Sequence, residues 1–277
     1  MTRQGEVFNG AIDNAAAVAL LIELGRSLVA LDEPLDRSVV LLITDDEERG
    51  LSGAEAWLEA SPVPVEDIVV AVSVDPIGRR LLPDYGPIAL IASERSSGLR
   101  EDLQRVADEV TDPVVFLDRE VLPLFASDHD VFFEHEIPLP ALWFTNPGMS
   151  FYHSTRDTAE TVDYRMLSAS AEFLSRFVQD LGTTDTRYEY VGPRHLGTLA
   201  AQDAQELVQG VLTSEELDDV ERDLALALSD DFAEVEAADD IAVVGDPDTF
   251  ILGALAFLVG RLPSEHVGPI PPPTPDE

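Results

Sequence analysis

The chain has 277 residues, 45% of them hydrophobic, no cysteine, and a net charge of −37 from 54 acidic and 17 basic side chains. Such a length and apolar fraction support one large core and exclude disorder throughout. The lack of cysteine excludes disulfides, thiolate metal sites and cysteine nucleophiles, and the acidity excludes nucleic acid as a partner, because phosphate binding needs clustered basic side chains.

Among the lysine and arginine positions every residue is arginine, and the acidic residues run along the whole length rather than forming a tail. A surface this acidic repels itself in dilute buffer. Near molar salt the Debye length falls to about 3 Å and the repulsion is screened. The composition therefore reads as adaptation to a salt-rich cytoplasm. The start, MTRQGEVFNGAIDN, lacks the apolar core of a signal peptide. The longest apolar run, 250–260, is too short to cross a bilayer. Both point to a cytoplasmic protein without a membrane span.

In chain order, residues 12–30 read as a largely apolar helix with Asp13 near its start, and 38–44 (SVVLLIT) as a buried strand. Residues 50–60 read as a helix with Trp57 and Leu58 inward. Strands follow at 67–75, ended by Pro76, and at 87–92. A helix is expected at 97–110, then strands at 113–118 and 138–145, then an amphipathic helix at 162–181 with Leu167, Phe173, Leu174 and Phe177 on one side. Continuous apolar strands alternating with helices indicate an α/β fold, a mixed, mostly parallel sheet covered by helices on both faces.

After Leu181 the character changes, which divides the chain into a domain at 1–182 and a helical, acidic C-terminal extension at 183–277. Two short helices are expected within 198–229 and an exposed acidic stretch at 230–248. Residues 249–262 read as an apolar helix packing on the body or on a partner, which leaves a homo-oligomer open. The tail PIPPPTPDE reads as extended or disordered.

Four positions stand where strands end. Asp13 lies in GAIDNAAAV, Glu47 and Glu48 in ITDDEERGLSGA, Asp75 closes IVVAVSVD, and His153 lies in SFYHSTRDT. Singly, each has an ordinary reading: a helix N-cap, acids favoured by a helix N-terminus, a turn before proline, a surface histidine. Together they fall where open α/β sheets build their sites. Converging carboxylates repel one another unless cations are bound. Oxygen ligands with imidazole suit zinc, cobalt or manganese. In the doubled glutamate, one carboxylate can hold metal while its neighbour takes a proton from water.

The order and wording of these motifs resemble the M28 family of co-catalytic zinc aminopeptidases. That family reads H-x-D, G-A-x-D-N-x-x-G, E-E-x-G-x-x-G-S, a strand ending in D, S-D-H, and Y-H-x-x-x-D-T. The chain has GAIDNAAA, EERGLSGA, SVDPIG, ASDHDVF and YHSTRDT, across residues 9–181. The resemblance implies a zinc-exopeptidase-like fold and hydrolysis of peptide bonds at a free N-terminus by metal-bound hydroxide. It implies Glu47 as general base, Asp13 as the bridging carboxylate behind a cis peptide to Asn14, Glu48 and His153 as ligands of one metal, and Asp75 as ligand of the other. Asp128, His129 and Tyr152 would line the substrate side, and Asp157 would support the site or its turn.

Ala17 and Ala54 depart mildly from the family's glycine and serine. The larger departure is that no residue before Asp13 is histidine. The H-x-D element is expected upstream of the given start; without it, the family's two zinc ions reduce to one here. Two other readings remain at this stage: a degenerate M28 fold acting as a binding or assembly module, and an M20-like carboxypeptidase or deacylase, which also carries a doubled glutamate.

The charge balance predicts that folding needs roughly molar salt. Thermal melts across a salt series should show the midpoint rising steeply with salt; an unchanged midpoint down to dilute buffer would refute the salt adaptation.

Overall fold

The computed structural model describes residues 2–3, 6–121, 126–148, 151–195 and 197–244. The apolar helix expected at 249–262 and the proline-rich tail lie outside these residues. Two short strands, β1 (Thr2–Arg3) and β2 (Glu6–Val7), pair antiparallel. Helix α1 (Ala16–Val29) follows, then α2 (Ser52–Glu59), β3 (Ala71–Val74), β4 (Ile88–Ile91), α3 (Leu99–Ala107), β5 (Val114–Leu117), α4 (His129–Glu134), β6 (Ala141–Thr145), α5 (Tyr164–Gly182), α6 (Thr198–Leu212) and α7 (Asp219–Ala238).

The main sheet has the order β3-β6-β4-β5. β3 and β6 are parallel, β4 and β5 are parallel, and β4 meets β6 antiparallel. This is the mixed, mostly parallel sheet expected. Because side chains alternate across a strand, the continuous apolar runs feed two cores. Ile88, Leu90, Phe116, Leu142 and Phe144 join α1, α3 and α5 on one face. Ala89, Ile91, Val115, Leu117, Ala141 and Trp143 join α2, α4, α6 and α7 on the other. Apolar residues fill the strands, apart from Ser73 and Thr145, because both faces are covered.

Helix ends follow local chemistry. Asp163 caps α5 by accepting from the backbone N–H groups of Arg165 and Met166 at 3.0 and 3.1 Å. Asp218 and Glu221 form a reciprocal capping box at the start of α7. The stretch 230–248 was expected to be exposed and acidic, yet α7 continues through its first part to Ala238 and buries Phe232 and Val235. These two extend the spacing of Ala225 and Leu228, so the helical stripe outweighs the acidic residues between them.

Residues 38–44 differ from expectation. Among the described residues they form no strand, and Val40 and Ile43 are 52% and 59% exposed. A strand exists only by pairing its backbone. Here a cavity separates the segment from β3, the neighbour with an unpaired edge.

Helices α6 and α7 are tied to the sheet by arginine as well as by apolar contact. The Arg100 guanidinium grips the buried Asp203 of α6 at 2.6 and 2.5 Å and lies 4.3 Å over the Phe116 ring. Arg194 grips the buried Asp118 at 2.7 and 3.2 Å. Breaking one side of such a pair strands a buried charge, whereas replacing both sides with apolar groups need not destabilise. Arg100→Met should therefore cost about 3–5 kcal/mol, and Arg100→Met with Asp203→Leu should recover most of it. Urea unfolding at constant salt reads both, and a double variant no better than the single would show that packing of the Arg100 stem dominates.

Candidate metal centre

The segment before α1 turns sharply. Gly10 has φ 61°, and a Cβ there would sit 2.6 Å from the Asp13 carbonyl oxygen, so the turn admits only glycine comfortably. The Asp13–Asn14 peptide is cis. Asp157, itself buried, accepts from the backbone N–H of Ile12 at 2.7 Å and of Asp13 at 3.1 Å. The Asn14 side chain donates to the Val74 carbonyl at 2.9 Å, tying the turn to the end of β3. The Asp13 carboxylate is thus aimed by its neighbours.

Glu47 and Glu48 occupy a short 3₁₀ turn between Asp46 and Leu51, both non-glycine residues with positive φ. His153, with φ 53°, comes from the loop between β6 and α5. Its Nε2 lies 2.6 Å from Glu48 Oε1 and 3.3 Å from Asp13 Oδ2. One potential ligand atom from each of Asp13, Glu48 and His153 falls within 4.8 Å of the others. Three distant stretches of chain thereby bring two carboxylates and an imidazole to one point, a donor set that fits a zinc-sized cation with a coordination position left for water. Left-handed non-glycine residues beside these ligands are the backbone signature of a constrained site.

Asp75 follows β3 and lies beside this trio. Its Oδ2 accepts from Ser127 Oγ at 3.2 Å, and its buried Oδ1 makes no hydrogen bond. Burial, with Asp13 close by, pushes the Asp75 carboxyl up to about 7 despite the Ser127 hydrogen bond. Burial, then the charges of Asp75, Glu48, Asp128 and Asp13, pushes Glu47 up to about 8. For His153, burial opposes the charged ring, but hydrogen bonds to Asp13 and Glu48 overcome it and raise the imidazole to about 10. Without a metal the protonated ring serves as the cation of the site. Five carboxylates, from Asp13, Glu47, Glu48, Asp75 and Asp128, share this region, and mutual repulsion is the price of holding them together.

The remaining candidates take different places. Asp128 accepts from Thr44 Oγ1 at 2.5 Å and keeps its other oxygen buried and unpaired. Tyr152 stacks on the His153 ring at 3.6 Å, fixing its plane, and burial raises its phenol above the ordinary range. His129 stands apart. It is fully buried, stacked on Trp143 and edge-on to Phe133, and burial lowers its imidazole to about 4, so the ring is neutral. Sequence reasoning assigned no role to Asn14, Thr44 or Ser127, which orient the site's backbone and carboxylates. Asn14 and Ser127 carried a signal, as members of the D-N pair and of the SDH motif; Thr44 carried none.

A cavity of about 830 Å³ opens from this cluster and runs between residues 38–45 and 68–75, backed by α1 and α5.

A sequence profile described as Peptidase family M28 matches residues 2–178. No curated protein sequence gives a significant match. Among solved structures, the fold is similar to the LapA aminopeptidase of Legionella pneumophila (TM-score 0.54, 17% identity, covering 64% of this chain and 48% of that one). It is also similar to LapB from the same organism (TM-score 0.53, 18% identity, 63% and 48%). A third is the γ-secretase component nicastrin (TM-score 0.55, 19% identity, 65% and 38%). The chain thus spans about half the length of the Legionella proteins or less of the third, and at these identities the likeness concerns fold. The profile match covers well over half of the chain and separates M28 from the other doubled-glutamate family: the chain belongs to peptidase family M28.

Proposed function

We propose that this chain carries the metal-binding and proton-transfer residues of a zinc-dependent peptidase acting at a free N-terminus. The observation that carries the reading is the convergence of Asp13, Glu48 and His153 within 4.8 Å, with Glu47 adjacent in sequence and its carboxyl raised to about 8. Among the described residues no other trio of this kind occurs, so the proposal is a single tightly held ion, with Asp75 beside it.

A bound zinc supplies Lewis-acid chemistry, acidifying water and offsetting negative charge that develops on a carbonyl oxygen. The protein's own groups do the rest. Asp13, Glu48 and neutral His153 would hold the ion, and Tyr152 and Asp157 keep two of these side chains oriented. Glu47, next to the ligand Glu48 and free of the ligand trio, would take a proton from the attacking water and deliver it to the departing amine. The preference for a free N-terminus rests on family membership together with the negative character of the site's carboxylates, which would favour a cationic substrate end. A module that only binds, the alternative raised by a fold shared with an assembly component, would not need a further glutamate, Glu47, beside the ligand trio.

With zinc supplied, Glu47→Gln should bind metal as before and lose the chemical step by about 10²–10⁴-fold. Glu48→Gln and His153→Ala should instead lose metal. Calorimetric zinc titration, paired with assays on peptide amides with free and acetylated N-termini, separates these effects. Retained turnover in Glu47→Gln would refute its role, and equal turnover of the acetylated peptide would refute the N-terminal specificity.

The pH dependence of metal-free stability follows from three raised groups. His153, raised from 6.5 to about 10, contributes stability fully below pH 6.5, lost as pH rises through 10. Glu47 and Asp75, raised from 4.5 to about 8 and from 3.8 to about 7, hold protons in the folded state that the unfolded chain has released. Their effect on stability therefore falls across those intervals as pH rises. All three predict that the metal-free protein weakens from about pH 5 to pH 9, and that zinc, whose binding expels these protons, stabilises most at the alkaline end. Thermal melts with chelator or zinc at both pH values measure this; a zinc effect that is larger at pH 5 would contradict it.

A further inference from the structure

The imidazole of His153 sits at the tip of a tight turn. The Ser154 backbone N–H and Oγ both donate to the Phe151 carbonyl, at 3.1 and 2.8 Å, so residues 151 and 154 are the ends of the turn and Tyr152 and His153 its middle. His153, the third residue, has φ 53°, a place and conformation that glycine ordinarily takes. A larger residue stays there only where its surroundings over-determine the backbone. One end of the turn is secured: Ser154 is buried, and the buried Asp157 beyond it accepts from the backbone that carries Asp13. The other end, Phe151, is only half-buried and needs an anchor of its own.

That anchor is a pair of guanidinium groups. Arg79 and Arg156 each place the guanidinium carbon 4.5 Å from the centre of the Phe151 ring. Arg79 comes from the loop between β3 and β4 and donates to the Thr161 carbonyl at 3.0 Å, in the turn before α5. The Asp163 backbone N–H donates to the Gly78 carbonyl at 2.8 Å, which fastens the same loop to the start of α5. Two guanidinium groups this near repel each other: burial lowers the Arg79 pKa, Asp163 offsets this, and Arg156 adds to the lowering. The chain has 54 acidic side chains, yet among the described residues Arg156 pairs with no carboxylate; its guanidinium meets the ring instead. The face of an aromatic ring is negative and attracts cations within about 6 Å of its centre.

We propose that Phe151, held by Arg79 and Arg156, is a positioning residue for His153. The anchored ring fixes one end of the turn, and the turn then presents Tyr152 and His153 as a stacked pair toward Asp13 and Glu48. This rests on the reading of His153 as a metal ligand. Tyr152 does not suffice by itself, because it belongs to the same turn. Stacked at 3.6 Å, it fixes the imidazole plane relative to the turn, not the turn relative to the carboxylates. Groups that orient a ligand are typically worth about 10–100-fold in metal affinity. Simple packing would be served as well by leucine; two cationic partners require an aromatic face.

The test uses the full chain in roughly molar salt, where partly buried contacts are screened much less than exposed ones. Three quantities are read: zinc affinity by competition with a chromophoric chelator, the thermal midpoint without zinc, and amide hydrogen exchange across 152–157 without zinc. Phe151→Ala and Phe151→Leu should each weaken zinc binding by about tenfold or more, and Phe151→Tyr should keep the parent affinity. Arg156→Gln, at an exposed position, should weaken it by about two- to fivefold with the zinc-free midpoint unchanged. Phe151→Ala should also speed exchange across 152–157. Parent-like zinc affinity in Phe151→Leu or in Arg156→Gln would overturn the anchor, and so would unchanged exchange in Phe151→Ala. If Phe151→Ala does not fold, the leucine, tyrosine and Arg156→Gln variants decide the matter. A parent chain that binds no zinc would overturn the metal reading and the anchor's service to a ligand together. A parent that binds zinc, with variants that bind it equally well, would overturn the anchor alone.

Discussion

Carboxylates held close together and partly out of water are the constraint on which the rest of this structure depends. Asp13, the pair Glu47–Glu48, Asp75 and Asp128 come from four separate stretches of chain. Burial dominates the upward shifts of Glu47 and Asp75, and neighbouring charge adds to it. Such a cluster persists only if something positive or protonated sits among its members. In the protein alone that role falls to His153, hydrogen-bonded between Glu48 and Asp13.

The scaffold explains how that cluster is held. The sheet ends below it, Asn14 fastens the Asp13 turn to the last residue of β3, and Asp157 fastens it to the loop that carries His153. Orientation thus passes through backbone groups on rigid elements rather than through long side chains. On the far edge, α6 and α7 complete the core beneath β4 and β5, and arginines bind buried aspartates across the junction. In a chain with 17 basic residues against 54 acidic ones, placing guanidinium groups at buried carboxylates is an effective use of scarce positive charge.

Membership of family M28 agrees with this geometry, and the solved structures share its fold. The ligand trio lies beside an open flank of β3. The flank and the trio are physically linked, because the cavity ends at Asp75 and Asp128, so anything that enters it alters the dielectric and the charge felt by Glu47.

Much was legible in the sequence where local rules operate. The four strands of the main sheet follow from continuous apolar runs closed by Asp75, Ser93, Asp118 and Asn146, and α5 follows from the stripe containing Phe173, Leu174 and Phe177. The ordered motifs also pointed to Asp13, Glu48 and His153, which the fold brings together. Tertiary structure decided what no local pattern encodes. The run SVVLLIT has every mark of a buried strand, but pairing is a property of neighbours, and across the cavity it has none. His129 shares a motif with Asp128, yet α4 turns its ring onto Trp143 and into the core. Asn14, Thr44 and Ser127 become positioning groups only because folding sets them beside Val74, Asp128 and Asp75, although the first and last already lay in motifs. Composition and periodicity determine which surfaces are buried; which polar atoms then meet depends on contacts between residues far apart in the chain.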